Sequence, residues 1–325
     1  MEPKISNNYS SKNHRFNYNK LQGKQRYISL LSQKSPEILS KWRKIQDVLK
    51  KKLITEDDES LKDIKYIGGV DISFDKYDPT IGISALVVCD YHTLKIVYED
   101  YELIKIEEPY IPGFLAFREV NPFVKLIEKL KKNKKEFLPQ VILVDGNGIH
   151  HIKGFGLACH LGVLADIPTI GCSKTVFAVD GINKRKVEEI NLTYLKEKGD
   201  SYKLVGNSGK HWGYLYKSNI NEDPLLISLG NKICNDTALN IIKNVCINDN
   251  RIPEPIRLSD KISRRLIWAH HNFASKYPYK KWNLKKYLSQ KYYYHEGLAE
   301  KRTKCVTGWI YQYHYAPADR SVHHS

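Results

Sequence analysis

Hydrophobic and polar positions change their period several times along this chain. Residues 1–35 show no period and are rich in Asn, Ser, Lys and Gln, which predicts a disordered basic arm. Ser35-Pro36-Glu37 then marks a helix start, with Ser35 as N-cap and Pro36 in the first helical position. Ile38, Trp42, Ile45, Val48 and Leu49 follow at helical spacing, predicting a helix to about residue 52 that packs on the core. Three strand-like runs come next, at 66–74, 81–88 and 94–103, separated by short turns around Pro79 and Asp90. Short turns between consecutive strands predict an antiparallel meander. Leu115, Val120, Phe123, Val124, Ile127 and Leu130 predict an amphipathic helix over 114–132, kinked at Pro122.

Beyond that point strands and helices alternate. An apolar run at 141–145, a helix at 156–165, a strand at 168–172 and a polar helix at 187–198 are expected. Strands at 213–217 and 225–229 and helices at 236–245 and 259–274 complete the pattern. The fold class is α/β: one mixed sheet, an antiparallel meander plus parallel strands, with helices on both faces.

Composition narrows the setting. A hydrophobic content of 42% with 27% charged residues suits a globular protein able to bury a core. No apolar run approaches eighteen residues and the N-terminus lacks a secretory pattern, so no membrane partner and an intracellular location, cytoplasmic or nuclear, are expected. The six cysteines include no C-x-x-C pair, which argues against a zinc ribbon or a redox motif. The net charge of +16 is a nucleic-acid signal, but it is unevenly placed. Residues 1–35 carry +6, residues 276–325 carry +7, and only +3 is left for the middle.

The chemistry lies in that nearly neutral middle. Asp145 ends the apolar run Val141-Ile142-Leu143-Val144, where open α/β sheets place their ligands. Gly146 and Gly148 let the chain turn sharply after it, although Asp-Gly is also ordinary turn chemistry. Asp71 interrupts an apolar strand, which is costly unless the acid is paired, hydrogen-bonded or bound to metal. Glu119 reads either as a ligand or as a helix acid paired with Arg118. Asp260 reads as a ligand or as a capping residue at a helix start. Hard divalent cations take several such oxygen ligands, but only a fold that gathers these acids could use them.

Five segments resemble the endonuclease V family. They are Gly69-Val70-Asp71-Ile72-Ser73-Phe74, Pro109-Tyr110-Ile111-Pro112-Gly113-Phe114-Leu115-Ala116-Phe117-Arg118-Glu119, Asp145-Gly146-Asn147-Gly148, the stretch from Gly154 to Val163, and Ile252-Pro253-Glu254-Pro255-Ile256-Arg257. They occur in order across 36–270 and resemble the eukaryotic branch most. The resemblance implies a ribonuclease H-like fold with Mg2+, or Mn2+ in its place, held by Asp71, Glu119, Asp145 and Asp260. It implies hydrolysis of the second phosphodiester bond 3′ to inosine, leaving 3′-hydroxyl and 5′-phosphate ends. Bacterial members act mainly on deoxyinosine in DNA and eukaryotic members on inosine in RNA, so inosine-containing RNA, DNA or both are the implied partners of a monomeric enzyme.

Site residues follow by the same resemblance. Lys174 matches the active-site lysine, and His151 and His160 match histidines near the site. Tyr110, on a loop stiffened by Pro109 and Pro112 with Ile111 between, would fill the gap left when a base leaves the stack. Leu115, Gly148, Gly156 and Leu157 would line the pocket for that base. Asn231 stands where many relatives carry histidine.

The expected organisation is therefore a 1–35 arm, a 36–275 catalytic domain and a 276–325 extension without a counterpart in the family. The extension interleaves basic residues with Tyr and Trp, which suits stacking on single-stranded nucleic acid or docking of the tail on the core. Two other readings stay open from the residues: a catalytically silent nucleic-acid-binding module, and a ribonuclease H-like nuclease that reads duplex shape.

Overall fold

The computed structural model describes residues 36–276 and Asn283 of the chain. The expected 1–35 arm, the Ser35 cap and the 276–325 extension, apart from Lys276 and Asn283, lie outside the described residues. The first helix, α1, spans Pro36–Lys50. Three strands follow, β1 (Tyr66–Phe74), β2 (Ile81–Asp90) and β3 (Ile96–Lys105), paired antiparallel as a meander. Helix α2 (Leu115–Asn133) runs through Pro122 as one element. Strand β4 (Val141–Asp145), helix α3 (Leu157–Ala165) and strand β5 (Thr169–Ser173) come next. After α4 (Lys184–Tyr194), strands β6 (Ser201–Val205), β7 (His211–Tyr216) and β8 (Leu225–Asn231) complete the sheet. Helices α5 (Asn235–Val245) and α6 (Glu254–Lys276) close the fold.

One eight-stranded sheet results, in the order β3-β2-β1-β4-β5-β8-β7-β6. The β1–β4 and β4–β5 pairs are parallel and the rest antiparallel, which is the mixed α/β sheet expected from the sequence. Val70, Leu86, Val88, Ile142 and Val144 on one face pack against Val120, Phe123, Ile127 and Leu130 of α2 and Leu161 of α3. Ile67, Ile83, Val87 and Leu143 on the other pack with Leu239 and Ile242 of α5 and Ile256, Ile262 and Leu266 of α6. Each such side chain contributes roughly 1.5–3 kcal/mol on burial, against about 0–1 kcal/mol for exposed ion pairs such as Lys62–Glu59. Core burial, not surface charge, fixes where the helices sit. Among the described residues no helix is long and apolar enough to cross a membrane.

Three details depart from the sequence expectation. On α1 Trp42 is buried as expected, but Val48 is exposed and Gln46 is the other buried residue. Strand β6 was not foreseen, because its alternation lasts only five residues. Helix α6 begins at Glu254, not near Ser259, with Pro255 tolerated in its first turn. Asp260 therefore lies inside a helix and does not cap one.

Candidate active site

Register puts two acids side by side. The parallel β1–β4 ladder ends with Val70 beside Val144, so Asp71 and Asp145 stand one step beyond it on adjacent strands. Strand β4 ends at Asp145 whereas β1 continues to Phe74. The β4 neighbour is thus lost just beyond Asp71, so its side chain stands at the end of the ladder beside Asp145, which is how an acid survives in mid-strand. Side chains alternate faces along a strand, so both acids follow Ile67 and Leu143 toward α6.

Helix α6 reaches this point because of Gly69. A Cβ there would collide with the Pro255 carbonyl, so the first turn of α6 presses directly on β1. Ser263, two turns on, donates to Asp71 Oδ2 at 2.7 Å, and its hydroxyl also lies 2.7 Å from that of Ser73. Asp260 accepts from Arg264 Nε at 2.5 Å, and Asp145 Oδ2 from Lys174 Nζ at 2.6 Å. Glu119, on α2, has no hydrogen-bond or ion-pair partner among the described residues. Burial, with Asp71 and Asp145 nearby, pushes its carboxyl up to about 8 despite the opposing Arg118. Burial likewise raises Asp71 to about 6 against the Ser263 hydrogen bond, with Asp260 and Asp145 adding to the rise. Among the described residues these acids do not form a preassembled metal-holding group.

Two cavities meet at Asp145, and Asp260 lines neither of them. One, of about 380 Å³, is lined by Asp71, Glu119, Asp145, Arg118, Phe74 and Tyr110 among others. The second, of about 240 Å³, is lined by Leu115, Gly146, Asn147, His151, Gly156, Leu157, Lys174 and Phe177. Asp145, Leu115 and Tyr110 belong to both. The first is acidic and open to the cleft. The second has apolar walls with backbone between them.

The remaining expected residues divide between lining and support. Tyr110 is half exposed at the junction, with Pro109 buried, Ile111 half-buried and Pro112 exposed beside it. Gly148 stands behind the wall: its N–H donates to Ser228 Oγ at 2.9 Å, and a Cβ there would strike Leu229 O. His151 lines the smaller cavity edge-on to Phe177, and its Nδ1 accepts from Lys153 N–H at 3.2 Å. Burial, then the charges of His150, Lys50 and Lys153, push it down to about 4, so it is neutral at pH 7. His160 lines neither cavity; it packs edge-on to Phe117 at 5.2 Å and is held neutral by burial. Asn231 is structural here, with Oδ1 accepting from Ile54 N–H and Nδ2 donating to Gly162 O.

Several contributors escaped the sequence reading. Gln46 donates to Gly113 O at 3.0 Å and lines the smaller cavity, coupling α1 to the loop that carries Tyr110. Arg118 donates to Pro79 O and Glu108 O, both at 2.6 Å, and pins the other end of that loop. Phe177 and Ser263 complete the set. A glutamine on the buried stripe of α1 was the one local signal available for any of them.

The endonuclease V family profile matches residues 47–261, which include every acid described above. The chain belongs to the endonuclease V family. Endonuclease V of Mus musculus is 40% identical over 238 residues, covering 71% of this chain and 70% of the mouse protein. The crystal structure of the catalytic domain of human endonuclease V is similar at a TM-score of 0.68 and 36% identity, over 74% of this chain and 99% of that one. Endonuclease V from Ciona intestinalis, crystallised with a 23mer DNA containing an inosine followed by a ribo-adenosine, is similar at 0.68 and 33% identity, covering 73% and 99%. Membership of the endonuclease V family makes this chain an endonuclease, on the mixed α/β fold expected from the strand and helix pattern.

Proposed function

We propose that this endonuclease hydrolyses the second phosphodiester bond 3′ to inosine in single-stranded RNA, with deoxyinosine-containing DNA as a second substrate, and that it does so with a bound divalent cation. The junction of the two cavities at Asp145, Leu115 and Tyr110 carries this reading. It supplies an apolar-walled pocket for one extruded base beside an acidic cleft for the backbone, and chemistry read from a single base needs both. The Ciona relative bound a strand with a ribose just after inosine, which supports RNA as the substrate class.

The donor set fits a hard cation. Asp71, Glu119, Asp145 and Asp260 offer only carboxylate oxygens, and the unpartnered Glu119 carries a carboxyl raised by burial and its acidic neighbours. A divalent ion there, Mg2+ or Mn2+, would polarise the phosphoryl oxygens and lower the pKa of the attacking water. Lys174 sets a positive charge beside Asp145, where it would offset charge developing on the phosphate. Tyr110 would occupy the gap in the stack, and the walls of Leu115, Gly156 and Leu157 would exclude water around the base. Water oxygen bonds to phosphorus, the bond to the 3′ oxygen breaks, and that oxygen leaves as a 3′-hydroxyl while the phosphate stays on the 5′ end. Neutral His151 would serve as a hydrogen-bond group in the base cavity.

Matched RNA and DNA strands, each with one inosine, test the proposal in the presence of Mg2+ or Mn2+. Cleavage one nucleotide past the inosine, lost in Asp145→Asn, is expected, with RNA cut faster. Binding without cleavage would leave a silent binding module, and equal cutting of adenosine controls would point to a nuclease that reads shape alone.

A further inference from the structure

Helix α6 does more than brace Asp71. Beyond Asp260 its exposed side chains, among the described residues, are Lys261, Arg264, Arg265, Trp268, Asn272 and Lys276, at spacings that keep them on one face. Trp268 is 67% exposed, well above what a core-facing tryptophan shows. Asp260, Arg264 and Trp268 recur at intervals of four, so they form a stripe that starts near Asp71, on which the Asp260 charge acts, and runs along the helix for about 12 Å. Arg264 gives one N–H to Asp260 and leaves its side chain 72% exposed. An indole flanked by three basic side chains matches a polyanion with flat bases, because rings stack on bases while Lys and Arg track phosphates.

The direction of the strand follows from the order of the groups. Base-cavity residues sit on the β4 and β5 side, Asp145 is common to both cavities, and Asp71 lies on β1 toward α6. A strand with its inosine in the smaller cavity passes Asp145, then Asp71, then the Asp260 end of the stripe. What lies beyond is the segment 3′ of the cut.

We propose that this face of α6 is the bed for the single strand 3′ of the cleaved bond, and that Trp268 stacks on one of its bases. The proposal rests on the inosine-directed reading above for the direction of the strand, and it is tested without cleavage. Labelled inosine strands ending three or ten nucleotides beyond the cut are bound to the full chain in chelator and followed by fluorescence anisotropy. Trp268→Ala should weaken binding of the longer strand on the order of tenfold and leave the shorter one unchanged. Trp268→Phe should restore most of the loss. Abasic residues in the extra segment should make the unsubstituted protein behave like Trp268→Ala, an arm that needs no variant to fold.

Equal binding by Trp268→Ala and the parent, or equal losses on both lengths, overturns the strand bed. If the parent does not cut inosine strands but the length dependence holds, the proposed activity fails and the bed stands. If cutting proceeds and the dependence is absent, the bed alone fails.

Discussion

Ser263 on α6 and Asp71 on β1 are 192 residues apart in sequence and 2.7 Å apart in space, hydroxyl to carboxylate. The hydrogen bond holds one acid of the cleft in place and ties it to the helix that carries Asp260. Ser263→Ala removes that donor and leaves Ser73 without its partner hydroxyl. Hydrogen bonds to charged groups contribute about 1.5–3 kcal/mol, so the variant should need on the order of tenfold more Mg2+ for half-maximal cleavage. Ser263→Thr should recover part of it. An unchanged metal titration in Ser263→Ala would show that Asp71 is positioned by its strand alone.

Gly69 sets the approach of that helix to the sheet. Gly69→Ala places a methyl group against the Pro255 carbonyl, which is backbone and cannot rotate away. The first turn of α6 must lift, carrying Ser263 and Asp260 with it. Overpacking of this kind costs about 1–3 kcal/mol. Thermal unfolding should therefore shift down by several degrees, and cleavage should fall further than the stability loss explains. Parent-like cleavage in a destabilised Gly69→Ala would separate the helix position from catalysis.

How far the residues announced this site depends on how local each signal is. Asp145 was legible because an unbroken apolar run ends on it, and Asp71 because it breaks one. Glu119 carried a weaker local signal, ligand or helix acid paired with Arg118, since a helix acid beside an arginine usually faces water, and the family resemblance is what favoured the ligand. Asp260 kept a capping reading beside the ligand one because the proline-rich stretch before Ser259 signals a helix start there, yet Pro255 sits in the first turn of α6, where its missing N–H has no helical partner to lose. Ser263 and Gln46 act across long sequence separations, to Asp71 and to Gly113, and no periodicity encodes a partner that distant. The sheet was legible for the same reason that Ser263 was not: its strands carry their pattern within themselves, apart from short β6.

Acid should weaken the fold through its buried histidines. His150 is fully buried, neither ring nitrogen has a hydrogen-bond partner among the described residues, and burial pushes its pKa down to about 4. The unfolded chain takes up a proton near pH 6.5, whereas the folded chain resists until about pH 4. Stability from this group is therefore complete above pH 6.5 and lost as pH falls through that interval. His150→Leu keeps an apolar side chain near Trp212 and removes both unpartnered nitrogens. Its melting temperature should fall less than the parent's between pH 8 and pH 5. Parallel declines in the two proteins would assign the acid sensitivity to other groups.

Tyr110 offers the sharpest separation of base extrusion from bond cleavage. It stands half exposed where the two cavities join, on a loop pinned by Arg118 at Glu108 and by Gln46 at Gly113. A ring there can replace the stacking that a base loses on leaving, a cost of a few kcal/mol in a paired strand and much less in an unpaired one. Tyr110→Ala should therefore lower cleavage of inosine in a duplex on the order of a hundredfold and in a single strand by about tenfold or less. Tyr110→Phe keeps the ring, so it should cut both nearly as the parent does. If the phenylalanine variant is as impaired as alanine, the hydroxyl and not the ring carries the effect, and Tyr110 is not a stacking wedge. Equal losses on duplex and single strand would place the residue in the bond-breaking step itself.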